Sequence, residues 1–379
     1  MRIGFDIRSF LKEETGVGIY LKNLLSYLSM MDWENEYYLF STSLKDRFPL
    51  KKVPEFKKMK FREFYFPVKA VDFAWNKLRW PEIDCFFRTN LDLTHSHTPL
   101  VLPTKGKKVV TVHDLYFMDY PDRVDQQAGR YFTNQIRSSL KRAEGIITVS
   151  KSTKRQLLEK FPVEEKKIKV IYHGLDPAFQ TPVSPKYKEK ITQRFSLPQR
   201  FLLFVGSTEP RKNLTKLLQS FPLVRREYPN MHLVLAGPQG KDYELIQKRI
   251  RKDHLYPWIH ITGYVSQTEL KALYRLASVF VFPSFCEGFG FPLIEAMASG
   301  VPLAVSNKSV MPEIVKNAGL YFNPHDPEEM AGKVMSLLDD NRLRQRLIKE
   351  GFQRASHFDW KKAASETLSL YQSLIKEKR

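Results

Sequence analysis

Short apolar runs alternate with longer amphipathic stretches along the first half of the chain. Runs rich in Val, Ile and Phe that are separated by helical patterns are typical of β-α-β units and of a parallel sheet. Helices fit between several of the predicted strands, notably at residues 19–30 and 131–143. The pattern predicts an α/β class, with strands at residues 2–7, 37–41, 91–95, 108–113 and 145–149.

A second series of the same kind begins near residue 201. A Pro-rich, weakly periodic stretch precedes it, so we place a hinge between two domains near residues 173–185. After Asp326 the pattern is wholly helical, and the segment from Phe358 to the C-terminus is one more amphipathic helix. The second doubly wound sheet is predicted to contain strands at residues 201–205, 231–236, 260–264, 279–283 and 302–305.

Composition supports two domains but leaves the partner open. The chain has 379 residues, which is more than one hydrophobic core usually organises. Hydrophobic residues make up 42% of it and aromatic residues 13%, which excludes a disordered or fibrous protein. The net charge of +20 attracts nucleic acid, anionic membrane or phosphorylated small molecules without choosing among them.

Cysteines and hydropathy bear on location. Cys85 and Cys286 lie far apart and in no metal-ligand spacing, which favours a reducing, cytoplasmic setting. Asp6 and Arg8 break any apolar N-terminal run, so no signal sequence is expected. No stretch approaches the about 18 apolar residues of a membrane span, so any membrane contact is expected to be peripheral.

The most specific motif is the glycine-rich segment 286–300, which follows a predicted strand. A glycine loop that leads into a helix N-terminus presents backbone N–H groups that suit phosphate oxygens. Glu287 in the loop and Glu295 in the helix flank this cradle and can bind hydroxyl groups on either side of a diphosphate. An ordinary surface loop is the alternative, but the intervening glycines and Pro292 specify backbone shape rather than solubility. The segment therefore predicts a nucleotide-sugar site.

A second motif, Gly206-Ser-Thr-Glu-Pro-Arg-Lys-Asn213, follows the first strand of the second series. Ligands of open α/β sheets collect at the carboxyl ends of strands, so Arg211 and Lys212 are expected beside the glycine-rich segment. A guanidinium fork and an ammonium point charge together neutralise a diphosphate. Two solvated cations at the start of a helix are the alternative, and the helix dipole disfavours them.

The first half offers weaker candidates. Thr15-Gly-Val-Gly-Ile-Tyr20 invites a nicotinamide-dinucleotide interpretation, but Leu21 stands where a third glycine is needed. A mobile glycine loop that approaches a phosphate or sugar fits better. His113 ends a predicted strand, where contact with a substrate hydroxyl and a structural role are equally open.

His95 and His97 stand two residues apart on a predicted strand and share a face. A metal site needs at least one more ligand, and none is evident in the sequence. We therefore expect no metal at this pair.

Together these motifs resemble retaining nucleotide-sugar glycosyltransferases of the GT-B fold, the large group that contains sucrose and glycogen synthases and many bacterial mannosyltransferases. The resemblance covers nearly the whole chain and is carried by the pair Glu287 and Glu295 with seven residues between them, Arg211-Lys212, Gly16-Val-Gly18 and Tyr172-His-Gly-Leu-Asp. The run 93–121 is similar to bacterial transferases of surface polysaccharide assembly, which often use GDP-mannose.

The resemblance implies two facing Rossmann-like doubly wound domains with an interdomain cleft. Residues 1–173 together with 358–379 would form the acceptor-side domain, and residues 174–357 the nucleotide-sugar-binding domain. The resemblance also implies that Glu295 contacts the ribose and Glu287 the hydroxyls of the donor sugar. The amides at Phe289, Gly290 and Phe291 and the loop that starts at Gly206 would contact phosphate and sugar, while Arg211 and Lys212 would contact the diphosphate. Gly16 and Gly18 would close from the other domain, and His113 would lie near the transferred sugar.

The implied reaction moves a hexose, with mannose favoured, from a nucleoside-diphosphate sugar to a glycan or lipid-linked acceptor in surface polysaccharide or glycolipid synthesis. Fixed cations stabilise the leaving diphosphate as its charge grows, so no cofactor or metal is expected. No Asp-x-Asp occurs in the sequence, and no carboxylate is an obvious covalent nucleophile. By analogy with the family, the acceptor attacks from the same face and the leaving phosphate takes its proton.

Three alternatives remain open. Residues 47–62 hold seven cations beside one acid, and Trp75, Lys77, Arg79 and Trp80 continue this pattern, which suits an anionic membrane or equally a solvated basic face. A nucleic-acid-binding protein would need a recognition helix or an aromatic platform, and the sequence shows neither, so no nucleic acid is expected. A nucleotide-sugar 2-epimerase would share the architecture.

Overall fold

The computed structural model describes residues 1–11, 16–44, 54, 57–98, 100–121 and 126–376. The chain divides into two units, one made of Met1–Gly174 with Asp359–Arg379 and the other of Leu175–Phe358. Each of the two junctions lies one residue after the junction expected from the sequence.

The described residues of the first unit contain a seven-stranded sheet, made of β1 (Arg2–Asp6), β2 (Glu36–Thr42), β3 (Met59–Phe64), β4 (Leu93–Ser96), β5 (Lys107–Val112), β6 (Gly145–Thr148) and β7 (Ile168–Val170). The strand order is β3-β2-β1-β4-β5-β6-β7, and every neighbouring pair is parallel. The sequence missed β3 and β7. Both are edge strands that are only partly buried, so they lack the continuous apolar run of a central parallel strand.

The described residues of the second unit contain a six-stranded parallel sheet, made of β8 (Phe201–Val205), β9 (His232–Ala236), β10 (Ile259–Gly263), β11 (Val279–Phe282), β12 (Leu303–Ser306) and β13 (Gly319–Phe322). Its order is β10-β9-β8-β11-β12-β13. The five predicted strands are present, each with bounds within one residue of the prediction. The missed strand, β13, again lies at an edge of the sheet.

Helices connect the strands and cover the faces of both sheets. In chain order they are α1 (Gly16–Met31), α2 (Val68–Phe73), α3 (Ile83–Phe87), α4 (Tyr116–Asp119), α5 (Gln126–Arg142), α6 (Lys151–Lys160), α7 (Pro185–Arg194), α8 (Leu214–Glu227), α9 (Tyr243–Lys252), α10 (Gln267–Leu276), α11 (Phe291–Ser299), α12 (Met311–Val315), α13 (Pro327–Asp339), α14 (Asn341–Ala355) and α15 (Trp360–Lys376). A short π-helix, Ala74–Leu78, continues α2. Within the described ranges no helix combines the length and the apolar character that a membrane crossing needs.

The last helix packs on the first unit through a large aromatic side chain. Trp360 is fully buried, and its ring stacks on His173 with 5.6 Å between the centroids. A Cβ atom at Gly174 would lie 2.1 Å from the Trp360 backbone nitrogen, so only glycine permits this approach. The contact joins α15 to residues 173–174, where the N-terminal part of the first unit ends.

The sequence had suggested that Trp75 belongs to an exposed basic patch, but the structure shows that it does not. Its ring is completely buried against Phe40 and Phe86, and its indole N–H donates to the carbonyl oxygen of Pro81 at 2.9 Å. Trp80, by contrast, is 68% exposed. Most of the basic segment 47–62 lies outside the described residues.

In each sheet the direction in which strands are added reverses once. The reversal falls between β1 and β4 in the first unit and between β8 and β11 in the second. At such a switch point the loops from the two central strands diverge to opposite faces, which leaves room for a ligand beyond the carboxyl ends. Both predicted motifs of the second unit, the loops that follow β8 and β11, lie at its switch point.

Candidate active site

Two loops meet at the switch point of the second unit and are held together by backbone contacts. The N–H of Phe285, in the loop after β11, donates to the carbonyl oxygen of Arg211 at 2.8 Å. Asn213 adopts a left-handed conformation with φ of 59°, and its buried side-chain amide donates to the carbonyl oxygens of Pro283 at 3.0 Å and Pro324 at 2.7 Å. These bonds fix the two cations that precede Asn213 against the glycine-rich segment.

Arg211, Lys212 and Glu287 form an ion triad. Nη1 of Arg211 lies 2.5 Å from Oε2 of Glu287, and Nζ of Lys212 lies 2.7 Å from Oε1. Lys212 is 6% exposed and Glu287 8% exposed. The Lys212 ammonium also lies over the ring of Phe282, 5.0 Å from its centroid. The sequence placed these residues in one site but did not predict that they pair with each other.

The two cations decide the ionisation of Glu287. Burial raises the pKa of this carboxyl group, but the charges of Arg211 and Lys212 and the hydrogen bond from Lys212 outweigh burial and lower the pKa to about 2. Glu287 is therefore a carboxylate at neutral pH, with each oxygen held by a cation. It cannot serve as a proton donor in this state.

The glycine-rich segment leads into α11 as expected. Gly290 has φ of +85°, and a Cβ atom there would lie 2.8 Å from Cδ1 of Leu293, so the position requires glycine. The residues Phe289, Gly290 and Phe291 stand at the N-terminus of α11, where backbone N–H groups point outward along the helix axis. Their contact with a phosphate stays a prediction.

Ser309 is part of the site, although the sequence analysis missed it. Its hydroxyl accepts a hydrogen bond from the N–H of Glu287 at 3.2 Å and donates to the carbonyl oxygen of Glu287 at 2.9 Å. Ser309 follows β12, the neighbour of β11, by three residues. The rule that ligands collect at strand ends, applied to this third strand, would have found it.

Glu295 lies in the second turn of α11 in a different environment. The Tyr274 hydroxyl donates to its Oε2 at 3.1 Å, and the side chain is buried. Burial raises the pKa of Glu295 to about 7, partly offset by the hydrogen bond from Tyr274 and supported by the nearby charge of Asp176. The pKa values of Glu287 and Glu295, which are eight positions apart in the sequence, are therefore shifted in opposite directions. Tyr274, which lies on α10, was not anticipated from the sequence.

Two glycines let the ends of β8 and β9 approach each other. The N–H of Gly206 donates to the carbonyl oxygen of Ala236 at 2.9 Å, and a Cβ atom at Gly237 would lie 2.3 Å from the carbonyl oxygen of Gly206. A Cβ atom at Gly206 would lie 3.3 Å from Cε of Lys212. Gly206 thus contributes by leaving space for the aliphatic chain that carries the Lys212 ammonium.

The predicted glycine loop of the first unit is helical. Gly16 and Gly18 lie in the first turn of α1, and a Cβ atom at Gly16 would meet nothing within 4 Å. The prediction of a mobile loop at these two residues is therefore wrong, while Thr15 lies outside the described residues. Amides in the first turn of a helix still suit an anion, so donor contact at Gly16 and Gly18 stays a prediction.

His113 follows β5 directly and is held by backbone. Its Nε2 donates to the carbonyl oxygen of His97 at 3.1 Å, which assigns the proton to that nitrogen. Burial, aided by the nearby His97, lowers the pKa of His113 to about 3. The imidazole is therefore neutral near pH 7, and its place beside the transferred sugar stays a prediction.

His95 and His97 do not cooperate as a pair. Both ring nitrogens of His95 contact hydroxyl groups, Nδ1 that of Tyr371 at 2.5 Å and Nε2 that of Thr111 at 2.7 Å, so this residue is structural. His97 is buried, and neither of its ring nitrogens has a hydrogen-bond partner among the described residues. The described part of the chain contains no group of three or more His, Cys, Asp or Glu side chains placed to hold a metal ion.

An ion cluster at the switch point of the first unit also escaped the sequence analysis. Nε of Arg8 lies 2.9 Å from both carboxylate oxygens of Asp6, and Nη1 lies 2.9 Å from Oδ1 of Asp72. The guanidinium lies over the Trp75 ring, 5.3 Å from its centroid. The charges of Asp6 and Arg8 also reach the buried His97. The cluster marks the carboxyl ends of β1 and β4 as a second polar site.

Solved structures share this architecture over the whole chain. Sucrose-phosphate synthase from Thermosynechococcus elongatus covers 99% of each chain with a TM-score of 0.78 at 20% identity. Anabaena Alr3699/HepE in complex with UDP and glucose covers 98% of this chain and 100% of its own, with a TM-score of 0.76 at 17% identity. The protein has the GT-B glycosyltransferase fold.

Sequence comparison identifies the family. Residues 187–354 match the model described as glycosyl transferases group 1, and residues 15–179 match glycosyltransferase family 4. The O-antigen chain mannosyltransferase B of Escherichia coli is 31% identical over 273 residues, which are 71% of each chain. The chain belongs to this family of glycosyltransferases, which confirms the resemblance seen in the sequence.

Proposed function

We propose that this glycosyltransferase moves a mannosyl group from a nucleoside-diphosphate sugar to a glycan or lipid-linked acceptor, with retention of the anomeric configuration. The observation that carries the proposal is the ion triad of Arg211, Lys212 and Glu287 at the switch point of the second unit. The name of the E. coli relative supports mannose. The UDP and glucose in the Anabaena neighbour support a nucleoside-diphosphate sugar as the donor class.

The donor diphosphate binds where two cations are already fixed. Its oxygens share Arg211 and Lys212 with Glu287 or take its place, because a second anion finds the same guanidinium and ammonium groups. The N-terminus of α11 adds a positive dipole end. Glu295 accepts from the ribose hydroxyls through its carboxylate, which Tyr274 orients. Glu287, once the diphosphate is bound, turns an oxygen toward the hydroxyls of the sugar.

The charges of the site favour departure of the diphosphate. As the bond between the anomeric carbon and the phosphate oxygen breaks, the leaving group gains negative charge that Arg211 and Lys212 stabilise without a metal ion. The acceptor oxygen attacks the anomeric carbon from the same face, and its proton passes to the departing phosphate oxygen. This route needs no covalent nucleophile, and Glu287 is assigned to the hydroxyls of the sugar rather than to its anomeric carbon.

We propose that the acceptor binds to the first unit and that the enzyme works at the cytoplasmic face of an anionic membrane. The carboxylates of the cluster formed by Asp6, Arg8 and Asp72 can accept hydrogen bonds from acceptor hydroxyls. The neutral imidazole of His113 and the first-turn amides of α1 at Gly16 and Gly18 offer further polar contacts. These groups lie at or near the carboxyl ends of the first sheet, where ligands of such sheets bind.

Calorimetry and a transfer assay test the proposal. GDP, UDP and ADP are titrated into the protein, and the nucleotide that binds is then supplied as its mannose ester with and without EDTA. Arg211→Ala and Glu295→Ala should abolish nucleotide binding while far-UV circular dichroism is unchanged. Arg226→Ala, which removes an exposed arginine from α8, is the matched control. Normal binding and turnover in both site variants would refute the assignment, and interconversion of donor epimers without transfer would identify an epimerase.

A further inference from the structure

A group of large apolar side chains is exposed on the first unit. Between the end of β3 and the start of α3, six of them project into solvent within sixteen residues: Tyr65, Phe66, Val68, Phe73, Leu78 and Trp80. Folding gains nothing from leaving such surface in water, and clustered exposure of this kind marks an interaction site. Their neighbours Lys69, Lys77 and Arg79 are exposed as well.

Helix α5 extends this surface. The side-chain amide of Asn76 donates to the Tyr131 hydroxyl at 2.9 Å, which joins the π-helix to α5. Tyr131 and Phe132 are exposed, as are Arg130, Arg137 and Lys141. The sequence of α5 contains no acidic residue. We call the exposed apolar and basic side chains of residues 65–80 and of α5 the basic aromatic face.

Few negative charges oppose these cations. Residues 65–80 contain one acid, Asp72, and its carboxylate is paired with Arg8. Burial, together with the nearby charge of Arg79, lowers the pKa of Arg142 on α5, so like charges lie side by side on this surface. An anionic partner relieves that repulsion, whereas a second copy of the chain would bring two basic faces together.

We propose that the basic aromatic face docks the enzyme on an anionic lipid bilayer. Trp, Tyr and Phe side chains favour the boundary between headgroups and acyl chains, and basic side chains beside them are attracted to anionic headgroups. The aliphatic side chains of Val68 and Leu78 insert into a bilayer but offer the bases of a nucleic acid no stacking surface. The chemistry of the face therefore fits lipid better than nucleic acid.

The position of the face has a consequence for the acceptor. Asp72 on α2 reaches Arg8, which follows β1, so the face adjoins the carboxyl end of the first sheet. A bilayer bound there holds lipid-linked molecules close to the polar cluster of Asp6, Arg8 and Asp72. The docking face deepens the membrane location proposed above, and its consequence for the acceptor rests on the proposed function. Binding to vesicles is measured without donor or acceptor, so its outcome is separate from that of the transfer assay.

Vesicle sedimentation with the full chain tests the docking surface without any substrate. One set of vesicles is pure phosphatidylcholine, and the other is equal parts phosphatidylcholine and phosphatidylglycerol. We expect binding to the anionic vesicles alone, weakened by salt. Arg137→Glu with Lys141→Glu should lower the partition coefficient at least about 30-fold, because each cation near the surface contributes about 1 kcal/mol.

A matched control separates the face from net charge. Lys248→Glu with Lys252→Glu makes the same change in charge at the same spacing on the exposed side of α9, in the second unit. It should leave most of the binding intact. If it weakens binding as much as the α5 pair does, attraction is general and the proposed face is wrong.

The apolar part of the face has its own test. The double variant Phe73→Ser with Trp80→Ser should reduce binding to anionic vesicles. The control, Leu245→Ser with Tyr256→Ser, removes two comparably exposed side chains from the second unit and should leave vesicle binding unchanged. Circular dichroism confirms that all variants fold. Absence of vesicle binding by the wild type overturns the proposal. The proposal is also overturned if the wild type is a dimer and the Phe73 and Trp80 variant is a monomer. It is overturned as well if a single-stranded oligonucleotide displaces the protein from the vesicles and its binding needs the same side chains.

Discussion

Replacing Glu287 by Gln keeps the size of the side chain and removes the charge that joins Arg211 to Lys212. The drop in the pKa of Glu287 from 4.5 to about 2, at about 1.4 kcal/mol for each pH unit, corresponds to about 3 kcal/mol of stability. The group is buried, so solvent screens little of this energy. Glu287→Gln also leaves Lys212 buried without its carboxylate, a change of the kind that costs about 3–5 kcal/mol. We expect the second unit to lose about 3 kcal/mol at neutral pH.

The pH dependence provides a second signature of the same contact. A carboxyl group with a lowered pKa in the folded state stabilises the protein fully above its ordinary pKa of 4.5, and this contribution is lost as the pH falls toward about 2. The difference in stability between the wild type and Glu287→Gln should therefore be constant from neutral pH down to about 5 and shrink below 4.5. A group that is protonated at neutral pH would show no such window.

Urea unfolding monitored by hydrogen exchange and mass spectrometry can separate the two units, which a single melting temperature cannot. Peptides from β8, β11 and α11 report on the second unit. Glu227→Gln makes the same chemical change on the exposed side of α8 and should alter stability by less than about 0.5 kcal/mol. A nucleoside diphosphate should stabilise Glu287→Gln more than the wild type, because its oxygens replace the missing anion. Equal stability of Glu287→Gln and the wild type at neutral pH would refute the triad.

Three further predictions concern single residues of the second unit. Nucleotide affinity should fall more steeply in the wild type than in Glu295→Gln as the pH drops below about 7, because protonation of Glu295 removes the carboxylate that would accept from the ribose. Calorimetry of the two proteins across this range measures the difference, in which the titration of the nucleotide's own phosphate near pH ~6 cancels. Identical profiles for the two proteins would contradict the role. Ser309→Ala removes two hydrogen bonds, which together stabilise the loop by about 1–2 kcal/mol. Hydrogen exchange of the amides in residues 286–290 should therefore become about 10-fold faster. An unaltered exchange rate would show that the hydroxyl does not hold the loop. Gly237→Ala places a Cβ atom 2.3 Å from the carbonyl oxygen of Gly206 and should lower the free energy of unfolding of the second unit, measured with urea, by more than about 2 kcal/mol. Gly332→Ala is the control and should not lower it, because a Cβ atom at Gly332 meets nothing within 4 Å. Equal effects of the two substitutions would contradict the close approach of Gly237 to Gly206.

The sequence predicted central strands well because both faces of a parallel sheet are covered, which demands a continuous apolar run. Phe201–Val205 and Val279–Phe282 are such runs, and all their residues are buried. Edge strands need no such run. Met59–Phe64 alternates half-buried and exposed positions and contains two cations, so its sequence resembles that of a surface loop.

The residues of the candidate site were predictable by position, but their pairing was not. Strand ends in an α/β pattern identify Arg211 and Glu287, which are 76 residues apart in sequence. That their charges meet depends on β8 and β11 being neighbours, which the sequence order does not state. Trp75 and Trp80 show the same limit on a smaller scale. They are five residues apart in similar surroundings, yet only the packing of the π-helix decides that one is buried and the other exposed.

The triad suggests why a carboxylate stands between two cations that are proposed to hold an anionic donor. Without Glu287, a buried ammonium and a guanidinium would repel each other whenever the donor is absent, and Lys212 would tend to lose its proton or move into solvent. With Glu287 in place, both cations keep their charge and position, so a diphosphate meets a site that needs little reorganisation. The same carboxylate competes with the diphosphate for these cations and must weaken its binding. Since product release limits many enzymes, we expect this competition to favour departure of the nucleoside diphosphate after transfer.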